Sequence, residues 1–398
     1  MYQIRTYNQI ALRGLERFSR DRFELSSEFA HPDAILLRSH KLTPADLTPD
    51  LMAIARAGAG VNNIPVAQCT EAGIVVFNTP GANANSVKEL VLAALLLSSR
   101  DVFGGLQFVR HLPQINDKAE LDTLVESEKK RFKGEELYGK TLGVVGLGAI
   151  GSLVAKAGLG LGMQVLGYDP AISVDAAWRL PSDVQRMENL HSLLGRCDYV
   201  SMHVPLLEAT RGLINAESLK SIRPGCVLLN FARQEIVDEA ALAVALREKQ
   251  VRAYFSDFPS TELSALDNVY ATPHLGASTT QAEENCAVMA ADQLIDFLGN
   301  GNITNSVNFP PVYLDRTPGY RLALTNMNVP KMLGQVLSIL ANADINIVDM
   351  INKSRDDLAY NLIDVASRPG PGVLEQIRTV EGVVNVRMIE NGMAPDTD

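Results

Sequence analysis

Three side chains able to bind and protonate a small oxyacid follow one another along this 398-residue chain: Arg233, Glu262 and His274. Each lies near the end of a short apolar run that reads as a strand: Cys226–Phe231, Ala253–Asp257 and Val269–Thr272. In open parallel sheets ligands bind outside the carboxyl ends of the strands, so such positions can converge on one crevice. An arginine fork holds a carboxylate in two parallel hydrogen bonds. A histidine passes a proton to or from a hydroxyl, and a neighbouring carboxylate favours its charged form. Taken singly, each has an ordinary explanation: Arg233 as a surface residue, Glu262 as a solvated loop carboxylate, His274 as a turn cap after Pro273. Taken in order, they suit hydride exchange with a 2-keto or 2-hydroxy acid, in which a cofactor carries the hydride and the protein orients and polarises.

A cofactor loop stands upstream. Gly146-Leu147-Gly148-Ala149-Ile150-Gly151 runs out of the apolar strand Leu142–Gly146 and into a small-residue helix, Ile150–Leu161. In that context Gly146 permits the tight turn, Gly148 lets backbone approach a pyrophosphate, and Gly151 lets the helix pack close to the strand. The phosphate then meets the free N–H groups at the helix start near Ala149 and Ile150. Asp169 ends the next strand, Gln164–Asp169, where a carboxylate accepts from a ribose diol and repels a 2′-phosphate, which selects NAD over NADP. The alternative is a glycine-rich turn that binds nothing.

These residues need a scaffold, and the rest of the chain supplies one. Apolar runs at Ala34–Arg38, Met52–Arg56 and Ile74–Phe77 alternate with helical stretches, and a helix is expected from about Asn85 to Arg100. The block Gly139–Pro273 adds strands, among them Tyr199–Val204, and a helix at Asp238–Glu248, the pattern of a doubly wound sheet. Turn formers and prolines between Gly299 and Pro311 read as a linker. Beyond it the pattern restarts as βαββαβ: Arg321–Asn326, Lys331–Asn342, Ile345–Asn352, Leu358–Val365, Gly372–Thr379, Val383–Met388. The fold class expected is therefore α/β, two doubly wound Rossmann-like domains followed by a ferredoxin-like unit. A formal charge of −10 argues against a nucleic-acid partner. The longest apolar run, Leu90–Leu97, is too short to span a membrane, the first residues lack a signal-peptide core, and four scattered cysteines without metal-ligand spacing fit a reducing compartment, so a cytoplasmic protein without a metal is expected.

At this point the sequence resembles a known family. Asn230-Phe-Ala-Arg233, Asp257-Phe-Pro-Ser-Thr-Glu262 and Thr272-Pro-His-Leu-Gly276 are similar to the catalytic motifs of the D-2-hydroxyacid dehydrogenases, over roughly the first 300 residues. The resemblance implies that Arg233 binds substrate and that Glu262 and His274 form the proton-transfer pair. It implies that Asp257 contacts the nicotinamide carboxamide, and that His203, Pro205, Ala232 and Gly276 line the cofactor cleft. One departure is that Leu263 stands where the family usually has proline, ahead of a shorter loop. Leu37-Arg38-Ser39, Arg56-Ala57-Gly58-Ala59-Gly60 and Asn78–Ser86 resemble the substrate motifs of the branch acting on 3-phosphoglycerate. Amides near Ala57–Gly60 would hold the carboxylate, Arg38 and Arg56 the phosphate, and Asn83 would lie close by; otherwise Arg38 is a surface residue at a strand end. Arg110, Lys129, Lys130 and Arg131 are either phosphate contacts across a dimer interface or a solvated charged face. The domains implied are a substrate-binding domain at 1–84 completed by 274–300, an NAD-binding domain at 85–273, a linker at 301–318 and an ACT-like domain at 319–393. In that last unit Asn326, Asn328, Pro330, Lys331 and Asn346 stand where related sensors bind serine, with Asn326 in place of a histidine and Lys331 in place of a glycine; alternatively the unit only dimerises. A homodimer or homotetramer follows. Another D-2-hydroxy acid as substrate, or an NAD-sensing protein without catalysis, stays open.

Overall fold

The computed structural model describes residues 1–112 and 115–390; positions 391–393 of the expected C-terminal unit lie outside them. The chain forms two compact units, Met1–Asn83 with Glu283 onward, and Ala84–Ala282. The histidine motif therefore stays with the second unit, and the first resumes nine residues later than expected, at Glu283 rather than 274.

The second unit is built on a parallel sheet ordered Val269–Ala271, Val251–Ser256, Cys226–Asn230, Tyr199–Met202, Thr141–Val145, Gln164–Tyr168, Gln185–Arg186. Numbered within the unit this is the 3-2-1-4-5-6 order of a dinucleotide fold with one strand added, and its switch point lies between Thr141–Val145 and Tyr199–Met202. Both faces are covered, so the central strands are apolar throughout; Leu142, Val144 and Val145 alternate between two clusters and are all fully buried. Each such side chain contributes about 1.5–3 kcal/mol by leaving water.

The first unit holds a parallel sheet ordered Phe23–Ser26, Tyr2–Thr6, Ala34–Leu37, Ala53–Arg56, Val75–Phe77. This order reverses direction between Tyr2–Thr6 and Ala34–Leu37, which again marks where ligands bind. The long helix Thr280–Asn300 lays Ala287, Ala290, Leu294 and Phe297 against it.

The segment expected as a linker, 301–318, is instead part of this core. Ile303 and Val312 exchange both backbone hydrogen bonds (2.7 and 3.0 Å), and Ile303, Phe309 and Val312 are at most 1% exposed. Asn308 acts as a substitute peptide on the edge of Val75–Phe77: its Oδ1 accepts from the Val76 N–H and its Nδ2 donates to the Ile74 carbonyl, both 2.9 Å. Turn-forming composition concealed a docked strand extension.

The C-terminal elements form an antiparallel sheet ordered Ile347–Arg355, Leu358–Val365, Tyr320–Met327, Val383–Ile389, the split-βαβ arrangement. One face packs under the helices Met332–Asn342 and Pro371–Arg378, and the other sets Tyr360, Leu362 and Ile389 against Phe297, Leu298 and Phe309. At the join Arg321 is wholly buried. Its Nε and Nη2 donate to Asp364 (2.6 and 2.8 Å), Nη1 to the Asn300 and Leu314 carbonyls (both 2.9 Å), and Nη2 also to Asp315 (2.8 Å). All five guanidinium N–H groups are thereby used.

Candidate active site

In the second unit the chain turns at Gly146, with φ +88°, and the position requires glycine, since a Cβ there would sit 2.7 Å from the His203 carbonyl carbon. At Gly151 a Cβ would be 1.9 Å from the Gly146 oxygen, so the helix Ala149–Gly160 can start against its own loop only through glycine. Gly148 differs: a Cβ there would meet nothing within 4 Å, so no intrachain contact demands glycine. It is the N-cap of that helix and offers no side-chain cap, whereas Asp101, Ser173, Asn189 and Asp238 cap other helices of this unit. Open space above uncapped N–H groups is what a pyrophosphate requires, so the loop fits a dinucleotide. Asp169 steadies it: Oδ2 accepts from the Leu147 N–H (2.8 Å) and Oδ1 from the Ala171 N–H (3.0 Å). His203 Nε2 lies 2.8 Å from Ser201 Oγ, and its buried Nδ1 has no partner among the described residues. Burial pushes this imidazole down to about 3, so it is neutral. Pro205 is exposed, its carbonyl accepting from Thr210 Oγ1 at 2.6 Å.

Arg233 follows the buried strand Cys226–Asn230. Asn230, fully buried at the strand end, accepts from the Ala232 N–H (3.1 Å) and donates to the Arg233 carbonyl (2.8 Å) and to Tyr254 Oη (3.2 Å). Reading the sequence gave Asn230 no role; its signal was a polar side chain closing an apolar strand. Arg233 makes no ion pair among the described residues, and its Nη1 donates to the Ala232 carbonyl (2.6 Å). A half-exposed guanidinium without an acidic partner is suited to an incoming carboxylate.

His274 is exposed, with φ +57°, and its N–H donates to the Asp257 and Thr272 carbonyls (3.1 and 3.0 Å). Its ring meets Phe258 edge-on at 5.2 Å. Glu262 is also exposed, but no hydrogen bond or ion pair joins it to His274 among the described residues, so the expected pair is not formed here. Leu263, where the family usually has proline, is 2% exposed in the core and fixes the turn that carries Glu262. Asp257 is 2% exposed, and its carboxylate accepts from Thr272 Oγ1 (2.7 Å) and from the Leu275 and Gly276 N–H groups (2.5 and 2.7 Å).

In the first unit, the switch point holds a second set. Arg38 Nη2 pairs with Glu283 Oε1 at 2.8 Å, both side chains more than a third exposed. Such a pair is worth about 0–1 kcal/mol, so an anion offering charge-assisted bonds of about 1.5–3 kcal/mol can displace Glu283. Arg56, expected as a phosphate ligand, instead braces the chain: Nε donates to the Arg38 carbonyl (2.9 Å) and Nη1 to that of Gly60. The amides of Ala57 and Gly58 are likewise taken, by the Leu37 and Arg56 carbonyls (both 2.8 Å), leaving those of Ala59 and Gly60 without an acceptor among the described residues. Asn83 Oδ1 is buried and has no partner among them. Asn8 and Asn63 grip the Arg38 segment from two sides: Asn8 Oδ1 accepts from the Ser39 and His40 N–H groups (3.1 and 2.6 Å), and Asn63 donates to the His40 carbonyl (2.6 Å). The His40 ring stacks on Tyr7 at 4.1 Å, with the Arg5 guanidinium 4.6 Å from that same ring. Arg5, Arg38 and His40 thus share this strand-end region, and the sequence reading missed Arg5 and His40. The Lys129–Arg131 run is exposed, and Lys129 and Arg131 pair with Glu126 and Glu128 one turn earlier, as a solvated face does.

Known proteins share this architecture. The model of the D-isomer specific 2-hydroxyacid dehydrogenase NAD binding domain matches residues 104–276. The D-3-phosphoglycerate dehydrogenase of Haemophilus influenzae is 32% identical over 382 residues, covering 92% of this chain and 88% of that protein. That of Methanocaldococcus jannaschii is 34% identical over 357 residues, covering 87% of this chain and 64% of that protein, so the chain spans less than two thirds of that relative. The hydroxypyruvate reductase of Thermotoga maritima is 37% identical over 288 residues, 69% of this chain and 88% of that protein. Among solved structures, the NAD+-bound 3-phosphoglycerate dehydrogenase of Entamoeba histolytica superposes with a TM-score of 0.60 at 27% identity, covering 77% of this chain and 98% of that one. The chain belongs to the D-isomer specific 2-hydroxyacid dehydrogenase family. Its cofactor is NAD, as the glycine loop and Asp169 implied.

Proposed function

We propose that this protein oxidises D-3-phosphoglycerate to 3-phosphohydroxypyruvate, the entry step of serine synthesis. The observation that carries this reading is Arg38 at the strand end of the first unit, more than a third exposed and held by an exchangeable surface pair with Glu283, a cation additional to the Arg233 assigned to the substrate carboxylate. NAD held on the Gly146–Gly151 loop would supply the hydride acceptor for C2 of the substrate. Arg233 holds the substrate carboxylate through its fork and polarises the C2 oxygen. His274 accepts the hydroxyl proton during oxidation and returns it during reduction, with Glu262 as the carboxylate assigned to it. Asp169 receives the adenosine ribose, and the Gly148–Ile150 amides receive the pyrophosphate. Arg38 binds the phosphate in exchange for Glu283. NADH oxidation with phosphohydroxypyruvate tests this; turnover of unphosphorylated hydroxypyruvate alone would favour a second reading, a reductase like that of Thermotoga maritima, for which the existing Arg38–Glu283 pair speaks.

For the C-terminal unit we propose an ACT-type sensor of serine. Asn328 and Asn346 are exposed and available to an amino acid, whereas Asn326 is not: it is 3% exposed and its Oδ1 accepts from Asn361 Nδ2 at 2.7 Å. The active form is a homodimer, supported by the exposed apolar row Val102, Phe103, Leu106 and Val109 on the helix Val102–Arg110.

A further inference from the structure

The loop that carries His274 is wrapped around one buried carboxylate. Asp257 is 2% exposed, and no cation lies within ion-pair distance of it among the described residues. Its charge is held by three donors from a five-residue stretch: Thr272 Oγ1–H, Leu275 N–H and Gly276 N–H, at 2.7, 2.5 and 2.7 Å. Its own carbonyl accepts the His274 N–H at 3.1 Å. His274 lies between these anchors with φ +57°, a left-handed conformation that costs a non-glycine residue about 1–2 kcal/mol. Such strain persists only where the surroundings over-determine it. Here they do: three charge-assisted bonds, each worth about 1.5–3 kcal/mol, exceed the strain.

We propose that Asp257 is a positioning residue, which sets the backbone of His274 and so aims its imidazole at the substrate oxygen. This rests on the reading of His274 as the proton carrier, and it differs from a carboxylate whose task is to bind the cofactor's carboxamide. Asparagine is the discriminating replacement, because it keeps the shape and cannot satisfy the loop. With its amide nitrogen in the Oδ1 place it opposes the Leu275 N–H, and in the Oδ2 place the Gly276 N–H. The Thr272 hydroxyl can rotate to accept, but the two backbone donors cannot.

The experiment measures kcat and the dissociation constant of NADH for the full chain carrying D257N, H274N and both together. Positioning predicts that D257N lowers kcat about a hundredfold, as displacement of a catalytic group by about 1 Å does, while NADH affinity changes less than about threefold. In the H274N background D257N then lowers kcat by less than about threefold, since the two act as one unit. A loss of NADH affinity with kcat intact, or full multiplicative losses in the double variant, overturns the proposal. An H274N variant with undiminished kcat overturns the reading of His274 instead, so the two failures are distinct. Where D257N does not fold, T272V decides: it removes one donor and leaves both backbone bonds. A kcat reduced about tenfold at unchanged NADH affinity supports positioning, and an unchanged kcat, or an effect on affinity alone, refutes it.

Discussion

Replacing Arg321 with methionine removes a guanidinium whose five N–H groups are all bonded inside the C-terminal join. Asp364, its side chain 3% exposed, is then left charged without its bidentate partner, keeping the Thr317 hydroxyl and N–H, which donate at 2.8 and 3.3 Å, and the weaker pull of the neighbouring Arg316 charge. Breaking a buried pair from one side costs about 3–5 kcal/mol. The carbonyls of Asn300, Leu314 and Asp315 lose about 1 kcal/mol each where water cannot replace the donor. The sum, roughly 6–8 kcal/mol, approaches the whole stability of a typical domain. A chain of several sheets does not unfold in one step, so the readout is hydrogen exchange at the Leu322 and Leu324 amides. The sum implies a rise in their exchange of at least about a thousandfold, up to the limit set by global opening. R321M/D364L, which removes both charges, restores most of the protection. Protection in R321M within tenfold of the parent, or a double variant weaker than the single one, refutes the reasoning. The same pair sets an acid limit. Burial pushes the Asp364 carboxyl up, but hydrogen bonds from Arg321 and Thr317 with the Arg321 charge outweigh it and hold the carboxyl below its ordinary value. Its contribution is therefore complete above about pH 4 and is lost as pH falls through the lower folded value.

His203 works in a higher window. Its folded imidazole is held near 3 while an unfolded one protonates near 6.5. Between these values the unfolded chain binds the extra proton, so stability is complete above about 6.5 and falls below it by up to about 1.4 kcal/mol per pH unit. H203Q should flatten the fall of the urea midpoint from pH 6.5 to 4.5; an unaltered slope would count against a buried neutral ring. Lys331, the uncapped N-cap of Met332–Asn342, has φ +70°, so Lys331→Gly should stabilise the C-terminal unit by about 0.5–1 kcal/mol in thermal unfolding, and a loss of stability would contradict that conformation. L106E places a charge in the apolar row of the helix Val102–Arg110; sedimentation should show the parent as a dimer and the variant as a monomer, and a dimeric variant would place the interface elsewhere.

The glycine loop was legible because its three parts, strand, turn and helix, are contiguous in sequence, and each glycine answers a local steric demand. Arg233 and His274 were legible as residues following apolar runs. The strands Tyr2–Thr6 and Phe23–Ser26 were not, since each buries a single side chain fully, Ile4 and Phe23, and alternation needs more. The docked stretch 301–318 was hidden for a related reason: Asn308 replaces backbone pairing with its own amide, and an asparagine reads as a turn. Non-local facts stayed out of reach altogether. That Leu263, next to Glu262, is buried depends on a cluster drawn from several strands. That Arg56 is a brace and Arg38 the available cation depends on carbonyls 4 and 18 residues away from Arg56.

The most direct test is the rate of NADH oxidation by the purified chain with 3-phosphohydroxypyruvate and with hydroxypyruvate, each repeated with R38A. A phosphorylated acid as substrate predicts a clear preference for the phosphorylated compound in kcat/KM. R38A then lowers that value about ten- to a hundredfold, as expected for one charge-assisted phosphate contact of about 1.5–3 kcal/mol, and leaves hydroxypyruvate nearly unaffected. Equal or better turnover of hydroxypyruvate, with both substrates indifferent to R38A, would contradict it and assign the site to an unphosphorylated acid.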